Sequence, residues 1–511
     1  MIFVGALLLV AMALGALLMS VRVFYPVVFA LLTLVVTMQP WMRLSVNPKV
    51  ALSLLVPPLL FYPAFHLDVQ SWRLDRVTLI MVGLFGTLLT IWGIAGIITY
   101  TFWFDWPNAL LLGTLLVAMD AAAVRQVMRM GHAPRRLAAL AESEHLFSSL
   151  IPLIVLPIWV AVTVGELSLL GSVPAYIQAM GGGIGVGIVM GSLTGLLLSQ
   201  ESTKLSALVW TIVGAYGSYL LASQLQTSGA LAAVVAGGLS GAIFRPRLQP
   251  TSKVALSTFW ELAAFVATAM GFLLVGFAVP FSRVVSLWIP IVWAVLTTLL
   301  LRVVVFYVLG LIRRGLGCTI PLTYYNVVAL GGMRGAIGLL LALSLPATLI
   351  RQADLQAVAF GAILVLAVVQ GLLSLPLLHF FRLSRRPAVY LEYQRLLARL
   401  LGVRAARQQL SRMYQEGAVA PHAWETVDAE LGQQEMLLLE SVQDFTSQHP
   451  EVQQHSLLSV RREALRAQQH VLVNLSREGI ISSQVAVNLI SQLDADLEQL
   501  NEQEVDLPPV E

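Results

Sequence analysis

Cysteine is almost absent from this chain. Cys318 stands alone, so no intrachain disulfide is available and no zinc-type Cys/His spacing can be assembled. Charge is scarce as well. Asp, Glu, Lys and Arg make up 12% of the 511 residues, about half the roughly 25% of an ordinary soluble domain. There is no Walker loop and no nucleic-acid motif, and a net charge of +3 marks no basic surface. No catalytic constellation is present, so no enzyme and no cofactor are expected. Aspartate is missing from the whole stretch between Asp120 and Asp354.

What fills the chain is apolar. Hydrophobic residues are 58% of it, in runs of about 20 residues, each long enough to cross a hydrocarbon core of roughly 30 Å. The fold class read from this is an all-α polytopic membrane protein. About thirteen runs can be counted, near 2–19, 23–39, 48–65, 77–102, 108–128, 146–165, 177–199, 205–222, 228–244, 259–280, 284–311, 321–347 and 354–381. The first run has no basic n-region and no small-residue cleavage site, so it reads as a retained span. Arginine and lysine are concentrated in the loops after odd-numbered runs, for example Arg73, Arg76, Arg125, Arg129, Arg135 and Arg136. The even loops hold only Arg43, Lys49, Arg283 and Arg351. The positive-inside rule then places the N-terminus outside and the C-terminus in the cytoplasm, as expected of an integral protein of the cell (inner) membrane.

The composition turns polar near Arg382. The expected division is a transmembrane domain over 1–381 and a small cytoplasmic helical domain over 382–511. Glu416-Gly417 and Glu478-Gly479 each read as a helix end followed by a new helix start, which suggests two related hairpins.

Within the apolar runs a few residues stand out. Asp120 lies in the middle of one, and a carboxylate at membrane depth is a functional-site hypothesis by default. The next run opens with Glu142, Glu144 and His145 beside Ser148 and Ser149. Arg334 lies deep in the twelfth run between glycines, and a buried guanidinium demands a partner. Glu144 is the expected partner, with Glu142 and Glu261 as rivals, and Arg302 is expected to snorkel. Gly183, Gly187, Gly191 and Gly195 form a small-xxx-small series that lets another helix pack closely. Pro57 and Pro58 interrupt helix hydrogen bonding in the third run.

Six segments, in order, resemble the cation:proton antiporter-1 family, the sodium/proton exchanger type. Val56–Asp68 resembles the signature LPPLLFEAGLxLD. Ala118–Val124 is similar to ATDPVAV, Glu144–Ser149 stands where the family has ESLLND, and Ser228–Gly237 is similar to SGVLAVVVAG. Phe259–Glu261 with Phe272–Gly276 resembles the FWE span, and Gly331–Ala336 is close to GGLRGA. The resemblance implies inverted repeats, discontinuous helices, a homodimer in the lipid bilayer, and exchange of Na⁺ or K⁺ for H⁺ by alternating access. It further implies Asp120, Ser148 and Ser149 as ion-binding residues, with Asp120 holding the transported metal ion, and a structural pair Glu144–Arg334. One departure is chemical. The family's Asn-Asp is Ser148-Ser149 here, and serine coordinates a cation but does not ionise near neutral pH. His145, which shares a helical face with Ser149, is a candidate proton carrier; otherwise Asp120 exchanges alone. The lost carboxylate also raises an alternative, a transport-degenerate membrane sensor or scaffold signalling through its C-terminal domain.

Overall fold

A computed structural model describes residues 25–38, 47–67, 77–101, 104–165, 171–199, 204–243, 250–316, 320–381, 383 and 388–450, with scattered residues from 453 to 493. The first apolar run, the Arg43 and Arg73 loops, Cys318 and Glu478-Gly479 lie outside the described residues. The chain divides into two units after Ser384.

In the first unit the apolar runs become helices. These are α1 (Tyr25–Thr37), α2 (Pro48–Phe65), α3 (Gly86–Thr101), α4 (Trp106–Val117), α5 (Ala121–Met130), α6 (Arg135–Val164), α7 (Ser172–Ser199), α8 (Lys204–Gln224) and α9 (Gly229–Ile243). They continue with α10 (Pro250–Ala278), α11 (Phe281–Ser286), α12 (Trp288–Gly315), α13 (Leu322–Leu330), α14 (Ala336–Leu343) and α15 (Gln352–Phe380). Eight helical stretches among the described residues are long and apolar enough to cross a membrane. α3 is preceded by a π-helical turn, Met81–Phe85.

Two of the expected spans are broken. Run 108–128 is split into α4 and α5 by Ala118–Asp120, and run 321–347 into α13 and α14 by Gly331–Gly335. The breaks cross one another. Met119 pairs antiparallel with Arg334 as an isolated bridge, and the Asp120 N–H donates to the Met333 carbonyl at 2.9 Å. Each break thus satisfies backbone groups of the other, which is what permits irregular backbone at this depth.

The proline-rich run does not break. α2 continues through Pro57, Pro58 and Pro63. Pro58 has no N–H to offer the Leu54 carbonyl, and the Tyr216 hydroxyl of α8 donates to that oxygen at 3.0 Å instead. α2 also lies against glycines of α9: a Cβ on Gly237 would meet the Phe61 carbonyl oxygen at 2.8 Å. The glycine series of α7 packs as its spacing predicts. Cβ atoms on Gly183, Gly187 and Gly191 would meet Ser228, just before α9, and Ala232 and Ala236 of α9 at 2.8 Å.

The second unit holds a hairpin of α16 (Ala388–Gln415) and α17 (Pro421–Gln448). Its turn contains Gly417 at φ 72°, the left-handed position expected of a glycine after a helix end. Tyr414 stacks on Trp424 at 4.7 Å, and Arg407 grips Asp428 bidentately at 2.7 and 3.0 Å.

Candidate ion site

Asp120 is the N-cap of α5. Its Oδ1 accepts from the N–H groups of Ala122 and Ala123 at 3.0 and 3.1 Å, and its Oδ2 accepts from the Thr268 hydroxyl of α10 at 3.0 Å. The side chain is buried. A carboxylate offers about four lone-pair positions; three are taken, and one remains for a proton or a cation. The α14 N-terminus also approaches it. A Cβ on Gly335 would lie 2.9 Å from Oδ2, so only glycine lets that helix end come this close. The positive ends of two half-helices therefore face Asp120.

The two serines behave differently. The Ser149 hydroxyl faces the Met119 carbonyl at 2.7 Å and the His145 carbonyl at 2.6 Å, which places it on the residue preceding Asp120. Ser148 turns the other way, donating to Glu144 Oε1 at 2.6 Å with Thr87 Oγ1 3.0 Å distant.

His145 is locked between backbone groups. Its Nε2 accepts from the Met333 N–H at 3.2 Å, so the ring hydrogen sits on Nδ1, facing the Ala141 carbonyl at 2.7 Å. Nδ1 is also 2.7 Å from Glu144 Oε2, and in this tautomer the ring is neutral. Protonating Nε2 would require that it give up the Met333 N–H.

Glu144 is paired with Arg302, not with Arg334. Arg302 Nη1 reaches Glu144 Oε1 at 3.0 Å, while Nε and Nη2 donate to the Ala329 and Val328 carbonyls at 3.0 and 2.9 Å. Those carbonyls end α13, so Arg302 neutralises both a carboxylate and the negative end of a half-helix. It does not snorkel; it is 1% exposed. Arg334 is bound through its backbone to Met119, and its guanidinium makes no hydrogen bond among the described residues. Of the rivals, Glu142 pairs with Arg125 and Glu261 stands near Arg129.

Thr268 and the Arg302 pairing were not visible in the sequence. Threonine in an apolar helix usually returns its hydroxyl to the i−4 carbonyl, as Thr33, Thr90 and Thr298 do here. Nothing in the residue type distinguishes the one that turns to a carboxylate.

This geometry has relatives. Residues 6–379 match the family model described as sodium/hydrogen exchanger, transmembrane. The Na⁺/H⁺ antiporter ApNhaP of Aphanothece halophytica is 26% identical over 427 residues, 83% of this chain and 81% of its own. The low-affinity Na⁺/H⁺ antiporter NhaS1 of Synechocystis sp. is 27% identical over 377 residues, 72% of each chain. The solved structure of the sodium proton antiporter MjNhaP1 from Methanocaldococcus jannaschii superposes with a TM-score of 0.61 at 18% identity, over 75% of this chain and 97% of that one. The match over most of the chain, with the crossed half-helices at its centre, makes this protein a member of the sodium/hydrogen exchanger transmembrane family.

Proposed function

We propose that the protein exchanges Na⁺ or K⁺ for H⁺ across a membrane by alternating access, with Asp120 as the one carboxylate that holds either ion. The observation that carries this is the open lone-pair position on a buried aspartate already held by two backbone N–H groups and Thr268. A proton and a partly dehydrated cation compete for that position. Ser149 supplies a neutral oxygen beside it, and Ser148 acts through Glu144. His145 and the Glu144–Arg302 pair brace the crossing. The relatives' names specify Na⁺. In this reading the protein is a homodimer in the cell membrane, with residues 382–511 in the cytoplasm.

In this reading the single open position takes one cation or one proton in turn. Asp120, Glu144, Arg302 and Arg334 sum to zero when Asp120 is ionised, and to the same +1 with either a proton or a cation bound. One cation therefore exchanges for one proton without net current. The test is proton movement in proteoliposomes pulsed with Na⁺, K⁺ or Li⁺. A dye response to at least one cation, unchanged when the membrane potential is clamped, is expected. Silence with all three favours the sensor or scaffold reading instead.

A further inference from the structure

α5 and α10 face each other across a cavity near Asp120. At the inner end they are joined by Thr268 and Asp120. At the outer end Arg129 of α5 stands 4.0 Å from Glu261 of α10. Between these points lies a cavity of about 240 Å³ lined by Tyr25, Tyr62, Ala122, Gln126, Glu261 and Phe265, among others. Ala122, Gln126 and Arg129 share one face of α5, and Glu261, Phe265 and Thr268 share one face of α10, each at i, i+4 and i+7. Seven residues of helix rise place Glu261 roughly 10 Å from Thr268. Tyr25 and Phe265, both lining the cavity, meet edge to face at 5.3 Å.

Glu261 is the one carboxylate lining this cavity among the described residues. Nearby Arg125 is committed to Glu142. Glu261 and Arg129 are each about half exposed, 46% and 56%, and an exposed pair at that separation is weak. A cation arriving from solvent can displace Arg129.

We propose that Glu261 is a second cation-binding group, a recruiting carboxylate at the mouth of the path to Asp120, and that Arg129 competes with the cation for it. The site takes a hydrated monovalent cation before its water is shed. Glu261 raises the local cation concentration and so sets the apparent KM, while Asp120 governs turnover. This rests on the exchange reading above and deepens it.

The test is the apparent KM for Na⁺ in proteoliposomes at low ionic strength, then with choline chloride added. Glu261→Gln is expected to raise KM about three- to tenfold, with the maximal rate changed far less. Arg129→Gln is expected to lower KM. Both shifts are expected to collapse at about 0.3 M salt, where exposed charges are screened within several ångströms. A role for Glu261 in structure alone gives no salt-dependent KM shift and no opposite effect from Arg129→Gln. An active wild type with an unchanged KM in Glu261→Gln, or a shift that persists in high salt, overturns the inference alone. A wild type silent to Na⁺, K⁺ and Li⁺ overturns the exchange reading, and this inference falls with it.

Discussion

Ser149 stands beside Asp120, where the motif that this stretch resembles carries an aspartate. Its hydroxyl faces two carbonyl oxygens, Met119 and His145, and no donor. An aspartate placed there is repelled by those oxygens when ionised, unless a proton or a cation stands between them. A serine hydroxyl suits these acceptors as it stands, and a carboxylate in its place would need a proton or a cation to share them. Ser149→Asp is expected to add a second titrating carboxylate and to move the pH profile of exchange by about one unit. An unchanged profile contradicts this account of the pocket. At the same scale, Glu144 and Arg302 form a buried pair whose separation leaves a charge uncompensated. Glu144→Gln alone is expected to destabilise the protein by about 3–5 kcal/mol, read as a thermal melt in detergent. Combined with Arg302→Met it should cost clearly less than the sum of the two single changes. Additive costs would mean that the two residues do not act as a pair.

Among the elements, the long helices could be read from the sequence and the breaks could not. A run of apolar residues reports its length. One Asp in the first break and one Arg among glycines in the second mark a costly charge without saying where the helix stops. Discontinuity itself is implied only by the family resemblance. Hydropathy is blind to backbone conformation. The prolines leave helix hydrogen bonds unmade, as their place in the run implies, and a tyrosine on another helix supplies the donor that α2 lacks. Asp120 was legible because a carboxylate in lipid is costly. Its partner Thr268 was not, because a threonine in a helix ordinarily has no need of another element. The Glu144 pairing failed for a related reason: two buried arginines lie far along the chain, and spacing does not say which one folds back.

Packing between elements gives its own prediction. Gly237→Val pushes α9 from the Phe61 carbonyl of α2 and is expected to cost about 1–3 kcal/mol as overpacking. A melting temperature equal to wild type contradicts the close approach. In the α16–α17 hairpin, hydrogen bonds from Arg407 hold Asp428 below its ordinary range, and those from Arg404 do so for Glu435. Carboxylates depressed in the folded state stabilise it above their unfolded pKa, and that stability is lost as pH falls through the folded value. Hydrogen-exchange protection factors of α16 and α17 amides in the whole protein are therefore expected to fall on acidification below the carboxylate range. In Arg407→Gln the fall should be shallower; an equal slope contradicts the role of the pair.

Across the whole molecule, the family is established by the match over residues 6–379, and the exchange proposal depends on Asp120 alone. Asparagine is as good an N-cap as aspartate, so Asp120→Asn keeps the first turn of α5 while removing the charge and the titrating proton. The most direct measurement is Na⁺-driven proton movement in proteoliposomes containing wild type or Asp120→Asn, with melting temperatures compared in parallel. The account predicts wild-type exchange and its complete loss in a variant that melts like wild type. Exchange that survives in Asp120→Asn would contradict it.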